Sequence, residues 1–182
     1  MGKERRWHTL LMLLKNVDHK IGAEIGSFKG RMAKALLNGL PELEQLICVD
    51  PWIHYPDFDK VIVNDKTMQM NFDKDVYHDF FKNIKGNEDR VSVLRSFSSE
   101  AAPVIEDESL DFVFIDGNHL YEYVREDIEL WYPKVKKSGF VSGHDYGKDP
   151  KKFPEFGVDS AVHEIFGNNF NVRNSIWYLT KE

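Results

Sequence analysis

The chain has 182 residues, with 24 Lys and Arg against 30 Asp and Glu, a formal net charge of −6. Hydrophobic residues make up 42% and charged residues 30%, which fits an ordinary globular chain and excludes a disordered or collagen-like one. The length matches one domain over 1–182. The acidic balance argues against nucleic acid as a partner, because phosphate binding needs clustered positive charge.

Cys48 is the single cysteine and lies in an apolar run, so a buried thiol in a reducing compartment is expected and no internal disulfide. The longest apolar stretch, Leu10 to Leu14, is five residues, against roughly 18 for a spanning helix. Lys15, Asn16 and Asp18 end it and no small-residue cleavage site follows. The expectation is a cytoplasmic chain with no membrane partner.

In chain order, the segment 1–18 holds a helix over Trp7 to Leu14, followed by a strand from Ile21 to Ile25 that ends at Gly26. Phe28, Met32, Leu36, Leu37 and Leu40 recur at helical spacing, with Gly39 and Pro41 as a stop. Leu46 to Val49 reads as a second strand ending at Asp50. The stretch 51–71 is aromatic, charged and without period, a long loop or lid of the kind that often carries function.

Further strands are expected over Val91–Leu94, over Phe112–Ile115 ending at Asp116, and over Phe140–Ser142 running into Gly143, His144 and Asp145. Tyr121, Val124, Ile128, Trp131 and Val135 mark an amphipathic helix, and Ser175 to Thr180 forms a closing strand. Near-continuous apolar strands alternating with helices describe an α/β fold, a mostly parallel sheet covered on both faces.

Gly26, Ser27 and Gly30 sit at the first strand-to-helix turn, where glycine tolerates positive φ and close approach of a ligand. The G-x-x-x-G spacing is not the G-x-G-x-x-G of a dinucleotide site; a plain tight turn explains the pair equally well. Glu24 would repel a pyrophosphate and attract an ammonium group. Asp50 stands where an acid accepts both hydroxyls of a ribose, with no Arg or Lys within two residues for a 2′-phosphate. A ligand with a ribose, an amino group and no phosphates satisfies both acids; S-adenosylmethionine is one and NAD is not.

Glu24-Ile25-Gly26-Ser27-Phe28-Lys29-Gly30 and Val49-Asp50-Pro51-Trp52 resemble the first two motifs of class I S-adenosylmethionine-dependent methyltransferases. Phe114-Ile115-Asp116-Gly117-Asn118-His119-Leu120-Tyr121-Glu122 with Asp127, then Ser138-Gly139-Phe140 and His144-Asp145-Tyr146, resemble one small branch. It includes antibiotic-sugar O-methyltransferases and cephalosporin-hydroxylase-like proteins. The likeness runs from about Gly22 to Tyr178 and departs at Asn118, at Lys137-Ser138-Gly139 and at His144, positions where the branch usually has an acid, Pro-Gly-Gly and an acid. It implies a Rossmann-like three-layer α-β-α sandwich with seven strands in the order 3-2-1-4-5-7-6, the last antiparallel.

In such a sheet, ligands bind outside the carboxyl ends of the strands, so Asp116, His119, His144 and Asp145 are expected to converge near the methyl donor. Two carboxylates and two imidazoles in one cleft are costly unless paired, metal-bound or solvated. One reading is a divalent metal on Asp116, His144 and Asp145 that lowers the acceptor hydroxyl's pKa. Mg²⁺ is the first candidate on oxygen ligands, while the imidazole of His144 suits Mn²⁺, Fe²⁺ or Zn²⁺ better. The other reading makes His119 or His144 a general base.

Ser96 and Phe97 either touch the adenine or form a turn, and Trp52 and Tyr55 either wall the ligand or pack. Asp57 and Asp59 read as solvated, and His8, His19, His54, His78 and His163 lack ligand spacing. The expected activity is O-methylation of a hydroxyl on a small molecule, a sugar or secondary metabolite. The alternatives are a non-catalytic nucleoside-binding module and an NAD-dependent oxidoreductase. A methyltransferase core uses nearly the whole length, leaving the N-terminal helix and the 51–71 lid to recognise the acceptor, which favours a small one or a pocket completed by a second subunit in a homo-oligomer.

Overall fold

Side chains alternate across the strands, and that alternation divides the core into two layers. In the computed structural model, which describes residues 5–53 and 72–182, the strands are β1 (Ile21–Ile25), β2 (Gln45–Val49), β3 (Val91–Leu94), β4 (Leu110–Ile115), β5 (Val135–Gly143), β6 (Asn171–Arg173) and β7 (Ile176–Thr180). They form one sheet in the order β3-β2-β1-β4-β5-β7-β6. The first five pair in parallel, and β7 runs antiparallel to both β5 and β6. This is the Rossmann-like arrangement that the family motifs implied.

Leu46, Cys48, Phe112, Phe114 and Phe140 point to one face and pack against α1 (Arg6–Leu14), α2 (Arg31–Gly39) and α3 (His78–Ile84). Ala23, Ile25, Ile47, Val49, Val113, Ile115 and Val141 point to the other, against α4 (Ser98–Ala101), α5 (Tyr121–Trp131) and α6 (Val158–Phe166). Gly22 belongs to the first face for a steric reason: a Cβ there would fall 2.1 Å from the Phe112 ring. The ring takes the space that the glycine leaves in the neighbouring strand.

The helix stripes are placed as the periodicity indicated, with corrections at their ends. Phe28 lies in the turn before α2, and Leu40 caps its carboxyl end through its N–H to the Leu36 carbonyl. Val135 is not part of α5. That helix ends at Trp131, and Val135 opens β5, aligned with Leu110. Full burial is common to both settings, so the i, i+4 spacing from Trp131 did not distinguish them.

The helices α3, α4 and α6 had no expectation attached, and the edge strand β6 was implied only by the family's strand count. All three residues of β6 are exposed, so no hydrophobic pattern marks it. It is set by the turn at Asn174 and Ser175, both with positive φ (49° and 61°), a two-residue hairpin connection. Of the expected lid, Pro51 to Ile53 fall within the described residues; His54, Tyr55, Asp57 and Asp59 lie outside them. No helix among the described residues is long and apolar enough to cross a membrane.

One cation ties the carboxyl end of α2 to the sheet. Arg90 donates to the carbonyls of Leu37, Leu40 and Leu43 at 2.8–3.0 Å, satisfying acceptors that the helix end and following turn leave open. Arg90→Met is expected to lower stability by about 2–3 kcal/mol, the cost of stranding partly buried carbonyls, read as a lower urea midpoint at unchanged m-value.

Candidate functional site

Register sets the site. Ile25 is level with Ile115, and Ile115 with Gly143, so the next residue on each strand is Gly26, Asp116 or His144. The Asp116 N–H donates to the Ile25 carbonyl (2.8 Å) and the His144 N–H to the Ile115 carbonyl (3.0 Å). Gly26 has φ +89°, and a Cβ on it would fall 2.3 Å from the Asp116 carbonyl oxygen. Only glycine lets the first loop cross the end of β4 this closely.

The polar groups of that loop bind one another. Glu24 is 1% exposed and accepts the Ser27 hydroxyl at 2.9 Å, with the Cys48 thiol 3.9 Å away. Burial pushes the Glu24 carboxyl up to about 8, against the pull of the Ser27 hydroxyl; burial raises the Cys48 thiol too. Asp50 spans two loops, Oδ2 accepting the Phe28 N–H (2.9 Å) and Oδ1 the Trp52 N–H (2.7 Å). Burial raises its pKa while those amides pull it down. Each oxygen keeps a further lone pair for another donor.

Two residues expected at the ligand have packing partners. Trp52 is fully buried, donates its indole N–H to the Phe28 carbonyl (2.7 Å), and rests on the rings of Tyr77 and Phe80 (4.7 and 4.9 Å). It supports the loops from within the core. Gly30 has φ +70°, and a Cβ there would meet the Phe80 ring at 2.9 Å, so this glycine admits α3. The same helix holds the loop from outside through Asn83 Nδ2 to the Lys29 carbonyl (2.9 Å) and a Lys29–Asp79 ion pair (3.0 Å).

Ser96 and Phe97 follow β3. Phe97 lines an open depression of about 260 Å³ with Ser98, Asn118, Tyr123 and Asp127 among others. Burial pushes the Asp127 carboxyl up to about 7, opposed by the Ser98 hydroxyl.

Asp116, His119, His144 and Asp145 do converge. His144 Nδ1 is 2.9 Å from Asp145 Oδ1 and 3.6 Å from Asp116 Oδ1, and His119 Nε2 is 2.7 Å from Asp145 Oδ2 and 3.9 Å from Asp116 Oδ1. The His119 ring stacks on Phe156 at 4.5 Å with planes 8° apart. Its Nε2 is buried and has no hydrogen-bond partner among the described residues, because the Asp145 contact falls outside hydrogen-bonding geometry. Burial works against charge on this imidazole, but Asp116 and Asp145 outweigh it and raise the pKa to about 9. Burial disfavours charge on the carboxylates also, yet the two imidazoles hold Asp116 and Asp145 below the usual carboxylate range. Asp145 sits at φ +62°, a strained backbone of the kind that clusters at functional sites.

Two cations reach this cluster from places with no local sequence signal. Arg6 Nη1 on α1 is 2.8 Å from Asp116 Oδ2, and Lys148 Nζ in the loop after β5 is 2.8 Å from Asp145 Oδ1. Ligand atoms of Asp116, His144 and Asp145 lie within 4.8 Å of one another. Two carboxylates and an imidazole at that spacing form a donor set suited to a divalent cation.

A sheet of this order with a glycine turn after β1, an acid after β2 and acids after β4 and β5 defines a class I S-adenosylmethionine-dependent methyltransferase. A family model described as a methyltransferase domain matches residues 23–146, and the chain belongs to that family. Two curated relatives are both uncharacterized proteins. One, of Sinorhizobium fredii, is 42% identical over 53 residues, 29% of this chain and 6% of its own length. The other, of Acanthamoeba polyphaga mimivirus, is 26% identical over 171 residues, 88% of this chain and 68% of its own. Among solved structures, the O-methyltransferase NovP superposes with a TM-score of 0.65 at 19% identity, covering 97% of this chain and 79% of that one. CalS11, a TDP-rhamnose 3′-O-methyltransferase, does so with a TM-score of 0.56 at 17% identity, covering 98% and 81%. At these identities the structures establish a shared fold.

The raised pKa of Glu24 has a consequence for stability. Between the ordinary carboxyl value and about 8, the folded chain keeps a proton that the unfolded chain loses, so stability falls as pH rises through that window. Glu24→Gln removes the effect. Its stability relative to the parent is expected to improve from pH 5 to pH 8 by roughly 3–4 kcal/mol; parallel denaturation curves across that range would contradict a buried, protonated Glu24.

Proposed function

We propose that this chain transfers the methyl group of S-adenosylmethionine to a hydroxyl on a small molecule, a sugar or a secondary metabolite. The observation that carries the reading is the convergence of Asp116, His119, His144 and Asp145 beside the glycine turn. A purely binding module has no use for that cluster. The O-methyltransferase likenesses, one of them acting on a TDP-rhamnose, agree with it.

In this reading the Gly26–Gly30 loop and the free lone pairs of Asp50 hold the nucleoside. Glu24 becomes a full carboxylate when a cationic group comes beside it. Asp116, His144 and Asp145 hold a divalent cation, Mg²⁺ or one more tolerant of nitrogen ligands. Bound there, such a cation supplies positive charge that makes a hydroxyl more acidic.

The methyl group passes to the acceptor oxygen, the sulfonium becomes a thioether, and the hydroxyl proton leaves to a base. Both imidazoles contact Asp145, and His119 is the more exposed ring. In this reading His119 is the proton acceptor, once its own proton has left. The stack on Phe156 holds its ring in place.

Calorimetric titration with S-adenosylmethionine, S-adenosylhomocysteine and NAD tests the donor: the first two are expected to bind, and binding of NAD alone would refute the reading. His119→Asn is expected to lower kcat by about 10²-fold or more, the usual worth of a positioned base, at unchanged S-adenosylhomocysteine affinity. Asp145→Ala is expected to lose turnover and keep cofactor binding. Equal turnover with and without a chelator would remove the cation from the scheme.

A further inference from the structure

We propose that the methyl acceptor carries an anionic group, a phosphate or a carboxylate, held between Arg6 and Lys148. The inference rests on the methyltransferase reading above and names the substrate class of that same site.

Arg6 is delivered by an anchored element. Leu10 and Leu14 of α1 are fully buried, and the Thr9 hydroxyl accepts Asn174 Nδ2 of the β6–β7 turn at 3.1 Å. Of the five N–H donors of the Arg6 guanidinium, those on Nη1 face Asp116 and His144; Nε and Nη2 have no partner among the described residues. The side chain is 39% exposed. That leaves an open fork edge at the rim of the cluster, the geometry that matches a carboxylate or phosphate. Lys148 stands on the other carboxylate, 30% exposed.

The open donors of Arg6 and the ammonium of Lys148 give the sign of the missing partner. Arg6 and Lys148 already offset Asp116 and Asp145. A guanidinium edge and an ammonium at the rim of a half-buried cleft are matched by an anionic group on the acceptor. Phe153, exposed beside Lys148 with its ring 4.9 Å from that of Phe156 and tilted 38° to it, offers apolar surface to the rest of that molecule.

The test is calorimetric titration of the S-adenosylhomocysteine-loaded chain with inorganic phosphate and, separately, acetate, at low ionic strength in the presence of a chelator. At least one anion is expected to bind, and the stronger identifies the group. Arg6→Gln and Lys148→Gln are each expected to weaken binding at least about tenfold, the loss of one charge-assisted hydrogen bond. Lys151→Gln, exposed on the same loop, is expected to bind as the parent does. Arg6→Lys keeps the charge without the fork and is expected to bind phosphate more weakly at unchanged S-adenosylhomocysteine affinity. Absence of binding by both anions, or equal binding by Arg6→Gln, Lys148→Gln and parent, would overturn the proposal. Failure of the parent to take S-adenosylhomocysteine would sink the methyltransferase reading instead.

Discussion

The backbone hydrogen bonds from Asp116 to the Ile25 carbonyl and from His144 to the Ile115 carbonyl hold the carboxyl ends of β1, β4 and β5 level with one another. A shift of one residue in either pairing would send Asp116 or His144 to the opposite face of the sheet, and the four-group cluster would not form. The two-layer core enforces the register, because Phe112 and Phe114 fill one layer while Val113 and Ile115 fill the other. The hydrophobic effect thus positions polar chemistry: a slip would expose buried aromatic surface before it displaced a single carboxylate.

Around these strand ends the chain accepts conformations that it avoids elsewhere. Phe28, Trp52 and Asp145 join Gly26 in the positive-φ region. Each is over-determined by its neighbours, Phe28 through its N–H on Asp50, Trp52 through its buried ring and Asp145 through contacts with His119, His144 and Lys148. Strain of this kind persists where surrounding contacts outweigh it. The buried carboxyls follow the same logic with opposite outcomes. Glu24, with a hydroxyl and a thiol for company, is pushed toward its neutral form; Asp145, facing imidazoles and an ammonium, is held as an anion.

The strands, the principal helices and the acids at strand ends were legible because they follow from short-range pattern: apolar runs closed by Gly26, Asp50, Asp116 and Gly143, and a 3-4-3-4 stripe in α5. The strand order and the antiparallel closing strand came from resemblance to a family. What was illegible has a common cause. β6 shows three exposed residues with no period, and Arg6 reaches Asp116 across more than a hundred positions of sequence. Trp52 was ambiguous between wall and core because an aromatic residue after a strand suits both; the space beside α3 placed it in the core.

Composition, periodicity and strand-end residues by themselves determined an α/β sheet with a glycine turn, an acid after the second strand and four ionisable groups after two later strands. Local pattern suffices for these because each depends on spacing of 2 or 3.6 residues along one element. The tertiary structure alone decided which groups are paired, which are charged and which stand open. Those properties depend on the distances and burial that bring α1, the β5–α6 loop and three strand ends together, and electrostatic energies vary with separation and local dielectric rather than with position in the chain. Hence Glu24 is an acid in the sequence and a neutral group in the fold, while Arg6, unremarkable at the start of a helix, lies on the carboxylate of Asp116.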